Sequence, residues 1–219
     1  MFKNREEAGR LLAQELVELC NDPHAILLAL PRGGVAVGYQ LSVALHLPLD
    51  VLITRKIGAP GNPEYALGAV SETGALYWND EALSGRSYSK GDLDSAMRAQ
   101  QQEVARRVAL YRKGRPFPDL TDRTVILVDD GLATGATFFA SVATVRQRNP
   151  RRVIGALPVG PRETVQEARR LLDHLIVLRV PEPFYAVGNF YEDFTQVEDQ
   201  DMLHFLALAE KALLAHHSP

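Results

Sequence analysis

The 219-residue chain contains a single cysteine, Cys20. One cysteine excludes an internal disulfide framework and fits a reducing compartment. Its place in an apparent helix suggests a packed or idle thiol rather than a nucleophile. Positive charge is not in excess either: 24 Lys and Arg face 27 Asp and Glu, for a net charge of −3. That balance argues against a broad surface for nucleic acid or anionic membrane. No apolar run approaches the roughly 20 residues of a membrane-spanning helix. The N-terminal MFKNREEAGR is polar and does not read as a signal peptide. A soluble cytoplasmic protein with no membrane partner is the expectation. The six histidines show no metal-ligand spacing, and no G-x-S-x-G elbow, Walker lysine or Cys-x-x-Cys occurs.

What is present is an ordinary globular composition, 46% hydrophobic and 23% charged, in a chain long enough for one domain with an insertion. Asn4 can cap a first helix with Glu6 and Glu7 in its opening turn. AILLAL at 25–30 reads as a strand covered on both faces, followed by a PRGG turn at 31–34 and a helix over about 35–46. A strand over 49–54 ends at Arg55-Lys56. IGAPGNP at 57–63 reads as a loop, and 66–70 with 75–78 as a hairpin. A long polar helix is predicted over 92–113. Strands at 124–128, 152–157 and 174–179 then alternate with helices at 136–148 and 162–172, and a last helix covers about 200–215. Strands alternating with helices predict an α/β fold with a mostly parallel sheet and helices on both faces. The whole of 1–219 reads as one domain, with 57–118 inserted and 181–199 appended after the last strand.

The stretch VILVDDGLATGAT, residues 125–137, carries most of the chemistry. Its strand delivers Asp129 and Asp130 to the end of the sheet where open α/β folds bind ligands. Ala133, Thr134, Gly135, Ala136 and Thr137 then wrap the start of the next helix. Free backbone N–H groups and a positive dipole favour an anion such as phosphate there. The small residues allow close approach, and the threonines add hydroxyl donors. The two acids repel phosphate and want donors or a cation. A sugar with vicinal hydroxyls, or its bound Mg²⁺, fits. The ligand read from these residues is a phosphate joined to a polyol.

This stretch resembles the phosphoribosyl-pyrophosphate motif of type I phosphoribosyltransferases over its whole length. The resemblance implies that Asp129 and Asp130 contact the ribose hydroxyls and that residues 133–137 hold the 5′-phosphate. Arg32, Gly33 and Gly34 form a second anion turn, similar to the family's pyrophosphate loop. By that analogy the bond before Arg32 is a candidate cis peptide. Arg55 and Lys56, two cations at the ligand edge, match the family's pyrophosphate-binding cation. The segment 57–78 is similar to its closing flap, which would exclude water from the reacting ribosyl group. PFYAVGNFYEDF at 183–194 is similar to a purine-binding hood, with Tyr185 stacking on the base and Val187 offering backbone contacts. Asp193 or Glu192 could reach the metal or pyrophosphate, and Asp129 and Asp130 could also serve the Mg²⁺.

One departure stands out. Hypoxanthine-guanine enzymes place an acid just before the Thr-Gly of the motif, and here that position is Ala133. Glu64 and Glu72 are the flap acids that could substitute. The resemblance implies a Mg-dependent transfer of ribosyl phosphate to a nitrogenous, purine-like base, with a homodimer as the common assembly. A non-catalytic nucleotide-binding regulator of the same fold is the alternative. It would need a basic patch, for which Arg106-Arg107 or Arg112-Lys113-Arg115 are candidates. A dinucleotide site is disfavoured, because GGVAVG does not fit G-x-G-x-x-G. The 22-residue helix 92–113 reads as a lid, a dimer contact or a plain solvated helix.

Overall fold

A computed structural model describes residues 1–84 and 88–217. Helix α1 (Arg5–Gln14) starts where the Asn4 side chain accepts from the Glu7 N–H at 3.0 Å, as the capping pattern predicts. A 3₁₀ turn at Val17–Leu19 follows, and Cys20 lies exposed just beyond it rather than inside a helix. Strand β1 (Ala25–Ala29) is buried along its full length. Helix α2 (Gly33–Leu45) and the short strand β2 (Leu49–Val51) come next.

Strands β3 (Thr54–Ala59), β4 (Asn62–Ser71) and β5 (Leu76–Trp78) then form a separate antiparallel sheet. The segment 57–63 is therefore a hairpin and not a loop. Gly58 sits at a register shift, which lets the strand absorb a residue of poor strand propensity, and Gly61 turns the chain with φ +76°. Helix α3 (Asp80–Leu83) is one turn long, and α4 (Lys90–Arg112) packs on β3 and β4. Helix α4 is thus part of the sheet's cover, with Val104 and Tyr111 buried beneath it.

The remainder alternates as predicted: β6 (Thr124–Val128), α5 (Ala136–Arg146), β7 (Arg152–Val159), α6 (Arg162–Leu171), β8 (His174–Arg179), and finally α7 (Asp199–His217). The main sheet is parallel, in the order β2-β1-β6-β7-β8. Alternate residues of each central strand feed opposite cores. Leu27, Ile126 and Ile154 pack with α1, α2 and α7, whereas Leu28, Leu127 and Leu157 pack with α5 and α6. Each buried leucine-sized side chain contributes about 1.5–3 kcal/mol, so two-sided burial is what holds these short strands. After β1 the chain crosses on one face, and after the adjacent β6 it crosses on the other. The crevice between their C-terminal ends is the point where such sheets take ligands.

Candidate active site

Strand β6 ends in the acid pair. Asp129 Oδ1 accepts from the Asp130 N–H at 2.8 Å, and Asp130 Oδ2 accepts from Arg5 Nε at 2.7 Å. The Tyr191 hydroxyl donates to the Asp130 carbonyl at 2.6 Å. Burial, and then the neighbouring charge of Asp130, hold the Asp129 carboxyl well above the usual carboxylate range. Burial also raises Asp130, against the lowering effect of Arg5. The Asp130 side chain keeps 18% exposure, enough for a ligand to reach it. Two desolvated carboxylates with one guanidinium lack positive charge and donors. That is a donor set which ribose hydroxyls or a divalent cation suit.

The turn after β1 presses against these acids. The Pro31–Arg32 bond is cis, as the resemblance implied. A β-carbon at Gly33 would lie 1.9 Å from Asp130 Oδ2, and one at Gly34 would lie 2.8 Å from the Val128 carbonyl. Only glycine permits that approach, so the sequence GG here is dictated by the acids across the crevice. The Arg32 guanidinium points to the start of α7, donating to Glu198 at 2.8 Å.

Residues 131–137 wrap a small cavity of about 130 Å³ at the start of α5. Gly135 takes φ +78°, a left-handed conformation that favours glycine, and Phe139 packs where a side chain would be. Thr164 Oγ1 donates to the Ala133 carbonyl at 3.1 Å and steadies the loop from α6. The loop backbone and the helix dipole can hold an anion, and Thr134 is exposed to it.

Other predicted residues fall differently. Arg55 and Lys56 do not end a strand of the main sheet. They lie within β3, whose alternation sends them to opposite faces. Arg55 donates to Gln100 of α4 at 3.2 Å, and burial and the nearby charge of Arg107 lower its pKa. The two cations therefore do not act as one cluster. Glu72 is no free acid: its side chain is 4% exposed, it accepts from the Ile53 N–H at 2.8 Å, and it pairs with Arg112. The side chain of Glu64 lies outside the described residues. Arg112 is itself buried against Glu72 and Asp50, and Arg106 and Arg107 both pair with Glu103. The first suggested basic patch is thus paired with Glu103, and the second loses Arg112 to Glu72 and Asp50.

In the hood, a 3₁₀ turn at Val187–Phe190 sets Val187 against Gly131, where a β-carbon would meet it at 2.4 Å. Tyr185 is 80% exposed and so open for stacking. Asp193 turns onto its own loop, accepting from the Thr195 N–H at 2.9 Å and hydroxyl at 2.6 Å, which lowers its pKa. It does not join Asp129 and Asp130. Among the described residues no three His, Cys, Asp or Glu gather to hold a metal. Arg5, Tyr191, Glu198 and Asp199 were not anticipated. Their partners lie far away in sequence, and no local pattern marks them.

A parallel sheet that carries an acid pair straight into an anion turn, beside a second anion turn with a cis peptide, defines a site of the type I phosphoribosyltransferase class. The chain belongs to that family: residues 2–177 match the phosphoribosyl transferase domain. It is 39% identical over 211 residues to a Mycobacterium tuberculosis (strain H37Rv) protein whose name assigns it provisionally to the phosphoribosyl transferases. That match covers 96% of this chain and 47% of the relative, so the chain spans about half the length of the curated relatives it matches. The crystal structure of TT1426 from Thermus thermophilus is 41% identical, with a TM-score of 0.78, covering 94% of this chain and 97% of that one. The AQ2163 protein from Aquifex aeolicus shares the fold at 13% identity and a TM-score of 0.50, over 84% of this chain and 78% of its own. Among the described residues no helix is long and apolar enough to cross a membrane.

Proposed function

We propose that the chain binds 5-phosphoribosyl pyrophosphate and transfers its ribosyl phosphate to a nitrogenous, purine-like base, releasing pyrophosphate. The observation that carries this reading is the junction of β6 and α5. There the desolvated pair Asp129-Asp130 and the turn 133–137 offer hydroxyl acceptors and an anion cradle a few residues apart. A ribose 5-phosphate has those two ends. The turn at Arg32-Gly33-Gly34 lies close against Asp130, which supports assigning it to the group at the anomeric carbon.

In this reading the 5′-phosphate is fixed by the loop amides and by Thr134 and Thr137. Asp129 and Asp130 accept from the ribose hydroxyls and lie near the positive charge that develops on the ribose, which they stabilise electrostatically. Arg32 and the turn amides receive the departing diphosphate, and Lys56 joins them as β3 and β4 close over the site. Magnesium, when held by the diphosphate and by Asp129 or Asp130, would supply charge neutralisation for the leaving group. Tyr185 and the Val187 backbone receive the base. Ala133 leaves the loop without an acid, and the Arg112 pairing removes Glu72 from that role, so proton transfer falls to the base's surroundings or to water. Incubating the protein with phosphoribosyl pyrophosphate, Mg²⁺ and a panel of purines, pyrimidines and small amines should give pyrophosphate with one of them. A panel with no release, alongside intact donor binding, would instead favour a nucleotide-binding regulator.

A further inference from the structure

Arg32, the cation of the second anion turn, already has anionic partners. Its Nη1 lies 2.8 Å from Glu198 Oε2 and 3.6 Å from Asp199 Oδ1. Separate hydrogen bonds position these two acids. Gln196 donates to the other Glu198 oxygen at 2.6 Å, and the Glu198 backbone N–H donates to Asp201 at 3.0 Å. Tyr111 of α4 donates to Asp199 at 2.6 Å. A cavity of about 350 Å³ is lined by Arg5, Arg32, Gly33, Asp130, Phe194 and Gln196. Arg32 thus lines that cavity while it pairs with Glu198, just before α7, and with Asp199, its first residue.

We infer that Glu198, with Asp199 behind it, is an internal competitor of the donor's diphosphate for Arg32, and so a positioning residue that sets donor affinity. This rests on the donor-site reading above. Glu198 gives one negative charge. A diphosphate gives several, and presents oxygens that a guanidinium engages in a bidentate fork. The existing pair is also weak, because Glu198 keeps 59% exposure and exposed ion pairs are screened by water and salt. The ligand therefore takes Arg32 over, and Glu198, now a like charge beside the diphosphate, must swing clear. Asp199 stays with Tyr111. Glu198 holds Arg32 in one orientation in the empty site, at the cost of weaker donor binding.

Titration calorimetry on the full chain tests this, using pyrophosphate with Mg²⁺ and, separately, ribose 5-phosphate. Glu198→Gln should bind pyrophosphate about two- to fivefold more tightly, the scale of an exposed pair removed. Ribose 5-phosphate has no diphosphate to compete and should bind unchanged. In turnover, the donor KM should fall with kcat unchanged. Asp199→Asn gives a second reading, because its amide oxygen can still accept from Tyr111. Unchanged or weaker pyrophosphate binding in both variants, or equal tightening of ribose 5-phosphate, overturns the inference alone. Failure of the unsubstituted chain to bind either ligand overturns the donor-site reading, and the inference with it.

Discussion

Replacing Gly33 with alanine would place a methyl carbon 1.9 Å from Asp130 Oδ2, 2.6 Å from Asp130 Cγ and 3.0 Å from Arg5 Nε. Nothing fits at 1.9 Å, so either the turn or the Asp130 carboxylate must move. The carboxylate is tied to Arg5 at 2.7 Å, and Arg5 also donates to the Thr195 carbonyl at 2.9 Å and lies 3.8 Å over the Phe194 ring. Displacing Asp130 thus disturbs α1 and the hood together. Overpacking of this kind costs about 1–3 kcal/mol. In a chain of this size that lowers Tm by roughly 2–4 °C per kcal/mol. Donor binding should suffer more, since Asp130 leaves the proposed ribose position: a loss of at least about tenfold, equivalent to ~1.4 kcal/mol. Thermal denaturation and calorimetry with phosphoribosyl pyrophosphate read the two effects. Gly91→Ala, whose β-carbon meets only Ser89 Oγ at 3.8 Å, is the control. If Gly33→Ala matched the unsubstituted protein in both assays, the close approach of the two turns would be refuted.

Three further outcomes are expected. Asp129→Asn removes a charge that burial and Asp130 disfavour, so the ligand-free protein should melt no lower while donor affinity falls at least about tenfold; a marked drop in Tm would contradict the charge argument. Arg112→Met strands the buried Glu72 carboxylate and should cost about 3–5 kcal/mol in denaturant unfolding, whereas a change below ~1 kcal/mol would show the cluster to be hydrated. Burial and the hydrogen bond to Asp199 push the Tyr111 hydroxyl up to about 12. The folded state favours its neutral form, so its stabilisation is complete below the ordinary tyrosine value of about 10 and is lost as pH climbs to the folded value. Tyr111→Phe should flatten that alkaline loss of stability, and an identical alkaline profile would remove the assignment.

The main sheet and its central turn were legible because their signals are local. AILLA is apolar throughout and TVILV is apolar after its first residue, since both faces of these strands are covered, and DDGLATGAT states its turn residue by residue. The second sheet was half legible. Glycine and proline in IGAPGNP read as a loop, but a register shift at Gly58 and a tight turn at Gly61 let the same residues pair as strands. Arg55-Lys56 looked like one cationic cluster because sequence adjacency hides strand alternation. Glu72 looked like a free acid because Arg112, which neutralises it, is 40 residues away. Arg5 carried no signal at all, because its partner Asp130 is 125 residues on. Long-range ion pairs leave no spacing rule in a single sequence.

The most direct test of the central claim is calorimetric titration of the protein with phosphoribosyl pyrophosphate in Mg²⁺, repeated on the Asp129→Asn, Asp130→Asn double variant. The account predicts saturable one-to-one binding that the double variant loses by at least about tenfold. Absence of heat with the unsubstituted protein, or equal affinity in the variant, would contradict it.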